Sequence, residues 1–191
     1  MRKIKIAFMR RIAFVFSPFY KKFGKMSCIY KPLMINGRKY ISIGKYCNIS
    51  EGARLEAISK WGNQNLNPSI EIGDNTSIEN FLHLIAAGKV QIGHNCVFSS
   101  RVMITSIDHD YLFIGKKVHE QDLIVSDVKI GNYCFIGMDV KVFPGVTIGD
   151  NVIVGANSIV MNDIPSYSVC VGVPAKVIKK YNFHTKQWEK V

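Results

Sequence analysis

Residues 130–160 read IGNYCFIGMDVKVFPGVTIGDNVIVGANSIV, and an aliphatic residue returns at every sixth position: Ile130, Ile136, Val142, Ile148, Val154 and Val160. That period does not fit the strands of a sandwich, which recur at wider and less even spacing. It is the beat of a solenoid, in which each short unit buries its apolar side only against the units stacked on it. Shorter runs keep it: Ile43, Ile49, Leu55; Ile72, Ile78, Leu84; Ile92, Phe98, Ile104. The phase slips between runs, and each slip predicts a loop or an irregular corner.

Glycine follows the aliphatic residue at Gly44, Gly73, Gly93, Gly131, Gly137, Gly149 and Gly155, often with Asp, Asn or Lys next. Glycine permits a tight corner and the polar residues suit its exposed side, so one hexad is one short strand plus one corner. The fifth position is small or β-branched, as in Thr76, Cys96, Val102, Cys134, Val140, Val146, Val152 and Ser158. Those side chains are expected to point inward. Cys47, Cys96 and Cys134 share this position and read as core filler, not as metal ligands or nucleophiles.

At 191 residues, 48% apolar and 20% charged, the chain is expected to fold as one domain with terminal extensions. Its five cysteines form no C-x-x-C pair, which argues against a zinc knuckle or a thioredoxin-type site, and the odd count fits reduced thiols. The apolar stretch from Ile12 to Phe16 is too short to span a bilayer and lacks a signal-peptide cleavage site, so the expected location is the cytoplasm. The net charge of +11 gathers at the two ends and points to anionic partners. No recognition motif accompanies it, so nucleic acid is not expected.

The expected organisation is a basic amphipathic segment over 1–40, repeats over 41–173 with an inserted loop at 107–128, and a basic tail over 174–191. Within residues 1–25, Ile4, Phe8, Ile12, Val15 and Phe19 fall at helical spacing among basic residues. Such a helix either caps the open end of the solenoid or rests on an anionic membrane at its inner face, and both readings stand. The tail begins with Pro174 and reads as a short helix whose lysines can meet phosphates.

The repeat breaks between Ile104 and Ile130, and Asp108-His109-Asp110-Tyr111 stands at the root of the break. An insertion from a rigid coil is where a solenoid places a site or a lid. A neutral imidazole near physiological pH suits removal of a proton from a hydroxyl, which makes His109 the candidate base. Asp108 and Asp110 both qualify to orient the ring, and proximity does not choose between them. His83, close after Asn80, either lines the same cleft or fills a corner. His94 sits at a corner without a role, and His119 lies in the loop within reach of an acceptor.

With its hexads from about Ile41 to Val177, its Asp-His-Asp-Tyr motif and its Gly172-Val173-Pro174-Ala175-Lys176 ending, the chain resembles the hexapeptide-repeat acyltransferase family. The branch it is most similar to is that of sugar and polysaccharide O-acetyltransferases acting on capsule, O-antigen or exopolysaccharide units. The resemblance implies an all-β solenoid: a left-handed parallel β-helix with a projecting loop and short terminal helices. It implies direct transfer from acetyl-CoA to a sugar hydroxyl of a surface polysaccharide or its precursor, with His109 as base and no acyl-enzyme. Asn80, in a pair with Phe81 like the Asn-Phe pair of galactoside-type members, would touch the acceptor together with His83 and Tyr111. Phe135, Gly137, Met138 and Ala156 would follow the pantetheine arm. Met161 and Asn162 would lie near the adenine, and Lys176 and Lys179 at the phosphates, where the family usually carries arginine. A homotrimer with sites between subunits is implied, and no metal. Gamma-class carbonic anhydrases share the repeat, but they need a close His pair downstream of a third, which His83, His94, His109 and His119 do not supply. Transfer to serine, a simple sugar or an antibiotic, and a non-catalytic scaffold, are the alternatives.

Overall fold

A computed structural model describes residues 17–191. The amphipathic helix expected near the start falls, up to residue 16, outside the described residues; Ser17–Phe19 forms a short 3-10 turn.

From residue 22 onward the chain coils as a triangular prism, laying one strand of each coil on each of three parallel sheets. The first sheet stacks Lys22–Phe23, Ile41–Ile43, Ser69–Ile72, Lys89–Ile92, Val128–Ile130 and Thr147–Ile148. The second stacks Cys28–Ile29, Asn48–Ile49, Ser77–Ile78, Val97–Phe98, Phe135–Ile136 and Ile153–Val154, and continues into Ser168–Gly172. Met34–Asn36, Arg54–Ala57, His83–Ala86, Met103–Thr105, Lys141–Val142 and Ile159–Val160 make the third. Register follows the hexad: Ile43 pairs with Ile72, Ile72 with Ile92, Ile92 with Ile130 and Ile130 with Ile148. These aliphatic columns are sealed inside the prism, and burying each side chain contributes about 1.5–3 kcal/mol.

The coil begins earlier than residue 41. Phe23, Ile29 and Ile35 carry the same six-residue period and pack on the core, so part of the segment assigned to an N-terminal extension is the first coil. The end also differs from expectation. Ala175–Asn182 is not a helix but an antiparallel strand against Ser168–Gly172, and Gln187–Lys190 pairs back on it. Burial alternates through Ala175, Lys176, Val177 and Ile178, the period of a strand, and the added strands extend the second sheet. Tyr181 meets Phe183 and Trp188 at 5.1 and 5.4 Å between centroids, fastening this hairpin.

Two hydrogen-bond ladders lock the corner between the first and second sheets. Inside, the fifth-position groups donate to a glycine carbonyl of the next coil: Ser27 Oγ to Gly44 at 2.6 Å, Cys47 Sγ to Gly73 at 3.0 Å, Thr76 Oγ1 to Gly93 at 3.0 Å, Cys96 Sγ to Gly131 at 3.1 Å and Cys134 Sγ to Gly149 at 3.1 Å. The cysteines therefore fill the core and also satisfy corner carbonyls that water cannot reach. Burial raises the Cys47 thiol and pushes Cys170 up to about 11, and the hydrogen bond with Cys96, with burial behind it, raises Cys134. Outside, side chains accept backbone N–H groups of the preceding coil. His94 Nδ1 takes that of Asp74 at 3.0 Å, and Asn132 Oδ1 takes that of His94 at 2.9 Å. His94 thus does the work that Asp and Asn do in neighbouring coils.

Candidate active site

Two insertions leave the same corner of the prism, where the third sheet hands over to the first. One follows Arg54–Ala57 and forms a small hairpin, Lys60–Trp61 against Gln64–Asn65. The other follows Met103–Thr105 and pairs Ile107–His109 with Leu123–Val125, setting His109 opposite Leu123. Between them, one coil turns this corner with only Ala87 and Gly88, both buried. Ser106 Oγ accepts both of their N–H groups, at 3.0 and 3.2 Å.

That tight corner lets the insertions meet above it. Gln64 imitates a strand: its Oε1 accepts the Leu123 N–H at 2.7 Å and its Nε2 donates to the Leu123 carbonyl at 3.2 Å. Trp61 Nε1 donates to the Gln121 carbonyl at 3.0 Å. Buried Gln121 in turn ties the loop, accepting the Phe113 N–H and donating to the Phe113 and Lys116 carbonyls. Beyond this knot Tyr111, Leu112, Phe113 and Ile114 project into solvent, and His119 is exposed beside Glu120.

His109 is half-buried with its ring 5.5 Å from that of Trp61, the planes inclined at 63°. Its Nδ1 is buried and has no hydrogen-bond partner. Asp108 Oδ1 accepts the backbone N–H of His109 itself at 2.8 Å, and Asp110 Oδ1 accepts that of Leu112 at 2.9 Å. Asp108 thus binds the backbone of its own strand and Asp110 that of the loop after it, and neither bonds the imidazole. The ring's neighbour is Trp61, which the sequence reading passed over; the phase slip between Leu55 and Ile72 was the signal that an insertion stands there.

His83 lies half-buried on the third sheet, in register between Arg54 and Met103. Partial burial and the Arg54 guanidinium hold its pKa below the usual value, against the pull of Glu56. Asn80 and Phe81 form the corner between the second and third sheets. Phe81 adopts the left-handed conformation (φ 62°) and lays its ring on Gly52, where a Cβ would stand 2.3 Å from it. Within one chain Asn80 and His109 therefore occupy opposite edges of the third sheet, with His83 between them.

Phe135 faces outward on the second sheet, and Gly137, Met138 and Ala156 follow at the corner Asn80 shares. Their coils stack through Gly137 N–H to the Val154 carbonyl and Asn157 N–H to the Met138 carbonyl, each 2.8 Å. A Cβ on Gly137 would stand 2.6 Å from the Ala156 nitrogen, so the corner admits no side chain there. Among the described residues the Met138 and Ala156 N–H groups donate to no other group, which suits an extended amide-bearing ligand lying along this edge. Lys176 and Lys179 stand opposite Val171 and Val169 on the strand that extends the second sheet. Exposed Met161 and Asn162 lie elsewhere, beyond the last strand of the third sheet at its far edge. Among the described residues no cluster of three or more His, Cys, Asp or Glu could hold a metal ion, and no helix is long and apolar enough to cross a membrane.

Residues 127–162 match the bacterial transferase hexapeptide (six repeats) family. Over 166 residues the chain is 34% identical to the putative lipopolysaccharide biosynthesis O-acetyl transferase WbbJ of Escherichia coli strain K12, covering 83% of this chain and 81% of that protein. The chain belongs to the hexapeptide-repeat acetyltransferases. This hexapeptide-repeat acetyltransferase is also 36% identical over 120 residues to the galactoside O-acetyltransferase of Escherichia coli, covering 63% of itself and 58% of that enzyme. Among solved structures, a variant of the Bacillus cereus N-acyltransferase AntD with dTDP and coenzyme A superposes with a TM-score of 0.70 at 21% identity, covering 88% of each chain. A maltose O-acetyltransferase of Clostridium difficile gives 0.57 at 24% identity, covering 92% of this chain and 88% of that one. Those structural likenesses carry the fold, and the prism of this hexapeptide-repeat acetyltransferase is a left-handed parallel β-helix.

Proposed function

We propose that the protein transfers an acetyl group from acetyl-CoA to a sugar hydroxyl in a surface polysaccharide or its precursor, with His109 as the general base. The observation that carries the assignment of the base is the setting of that ring: half-buried on an insertion clasped to a second insertion, with Nδ1 shut away from solvent. Nε2 is then the nitrogen left to take the acceptor proton, and such proton transfer contributes about 10²–10⁴-fold to a rate. The likeness to WbbJ over most of both chains favours the polysaccharide acceptor over serine or an antibiotic.

Bound acetyl-CoA supplies an acetyl group already activated as a thioester. The edge formed by Phe135, Gly137, Met138 and Ala156 holds the pantetheine arm, and Lys176 and Lys179 meet the phosphates. The unbonded Met138 N–H is positioned on that edge as a donor for the charge growing on the carbonyl oxygen. No acyl-enzyme is needed, and the buried thiols with raised pKa are poor nucleophiles.

The active unit is a homotrimer. In one chain His109 and Met138 stand at opposite edges of the third sheet, so a complete site needs the base of one subunit beside the coenzyme edge of the next. The place of action is the cytoplasm, at the inner face of the membrane where lipid-linked glycan precursors are built, with the basic residues ahead of the first coil as the contact. Acceptor-dependent thiol release from acetyl-CoA, screened over polysaccharide repeat units, simple sugars and serine, tests the acceptor class. Release with serine alone would reject the polysaccharide reading.

A further inference from the structure

We infer that Trp61 is a positioning residue for His109, and that the hairpin carrying it sets where the imidazole stands. This rests on the reading of His109 as the base.

No hydrogen bond among the described residues fixes the His109 ring. Asp108 and Asp110 are both committed to backbone N–H groups, and Nδ1 has no partner. The ring's orientation is therefore set by packing, and the aromatic group packed on it is the Trp61 indole at 5.5 Å. The indole is itself held by its Nε1, which donates to the Gln121 carbonyl. Gln64, on the opposite strand of the same hairpin, grips both backbone groups of Leu123, the residue paired with His109. One small hairpin thus fixes the strand opposite the base and the rotation of the base itself. Misplacing a reacting group by about 1 Å costs on the order of a hundredfold in rate.

A clasp that only stabilises the loop needs the Trp61 N–H and Gln64 but not an aromatic ring against the imidazole, and this separates the two roles. Steady-state kinetics with purified Trp61→Ala, Trp61→Phe and His109→Asn decide. Positioning predicts that Trp61→Ala lowers kcat about ten- to a hundredfold with the KM for acetyl-CoA within about twofold of wild type. Trp61→Phe, which keeps a ring and loses the N–H, should return kcat to within about threefold of wild type. A kcat for Trp61→Ala within twofold of wild type, or a Trp61→Phe enzyme no better than Trp61→Ala, overturns the inference. Should Trp61→Ala fail to fold, Trp61→Leu, which fills space without a ring, is judged by the same criteria. An active His109→Asn enzyme overturns the assignment of the base and this inference with it. An inactive His109→Asn beside a fully active Trp61→Ala overturns the positioning role alone.

Discussion

Asp108 and His109 are joined through the main chain: the carboxylate accepts the backbone N–H of His109 at 2.8 Å and leaves the ring alone. In serine-protease triads the equivalent carboxylate holds the imidazole, and converting it to the amide costs about 10⁴-fold in kcat. Here Asp108 braces the backbone of its own strand. Asp108→Asn, which keeps an Oδ1 acceptor, should retain kcat within about threefold of wild type. A loss beyond a hundredfold in steady-state assays would give Asp108 the orienting role after all.

A site shared between subunits predicts complementation. His109→Ala lacks the base and Ala156→Trp blocks the coenzyme edge, so each homotrimer should be inactive. Random mixing by co-expression should restore about a quarter of wild-type activity, because one interface in four joins an intact base to an intact edge. Absence of any recovery, with mixed trimers verified by mass spectrometry, would place both halves of the site in one chain.

The corner between the first and second sheets leaves no room for a methyl group. At Gly131 an added Cβ would lie 2.5 Å from Asp150 Oδ1 and 2.6 Å from the Gly149 carbonyl carbon. Gly131→Ala should destabilise the fold by about 1–3 kcal/mol, read as a lower Tm by calorimetry. An unchanged Tm would mean that successive coils slide apart at little cost.

Buried thiols should be slow to react. Cys170 has its pKa pushed up to about 11 by burial, burial raises Cys47, and the hydrogen bond with Cys96 together with burial raises Cys134. At pH 8 a disulfide reagent should label these positions slowly in the native protein and all five cysteines promptly in urea. The linked stability is fully present below about pH 9, where the unfolded thiol titrates, and is lost as pH rises through about 11. Rapid native labelling at Cys170, mapped by mass spectrometry, would contradict this.

The hexad was legible because each coil buries the same position, so Ile130 to Val160 report the fold without help from distant sequence. The same logic reaches back to Phe23, Ile29 and Ile35, whose beat is masked by a preceding segment rich in lysine and aromatic residues. Handedness leaves no mark on a six-residue period and came from the resemblance. The tail misled because Pro174 followed by lysines resembles a helix start, while the alternation that makes it a strand takes its meaning only from the sheet edge it joins. His109 was legible from the break in the repeat. Its neighbour Trp61 was not, since it belongs to a different insertion and the two meet only because Ala87 and Gly88 turn the corner between them so tightly.

The central claim is that His109 is the base, and the most direct measurement is free thiol release from acetyl-CoA by wild type and His109→Ala with a saturating sugar acceptor, alongside calorimetric binding of coenzyme A. A loss of about 10²–10⁴-fold in acceptor-dependent release, with coenzyme affinity unchanged, is expected. Release by His109→Ala at the wild-type rate would contradict it.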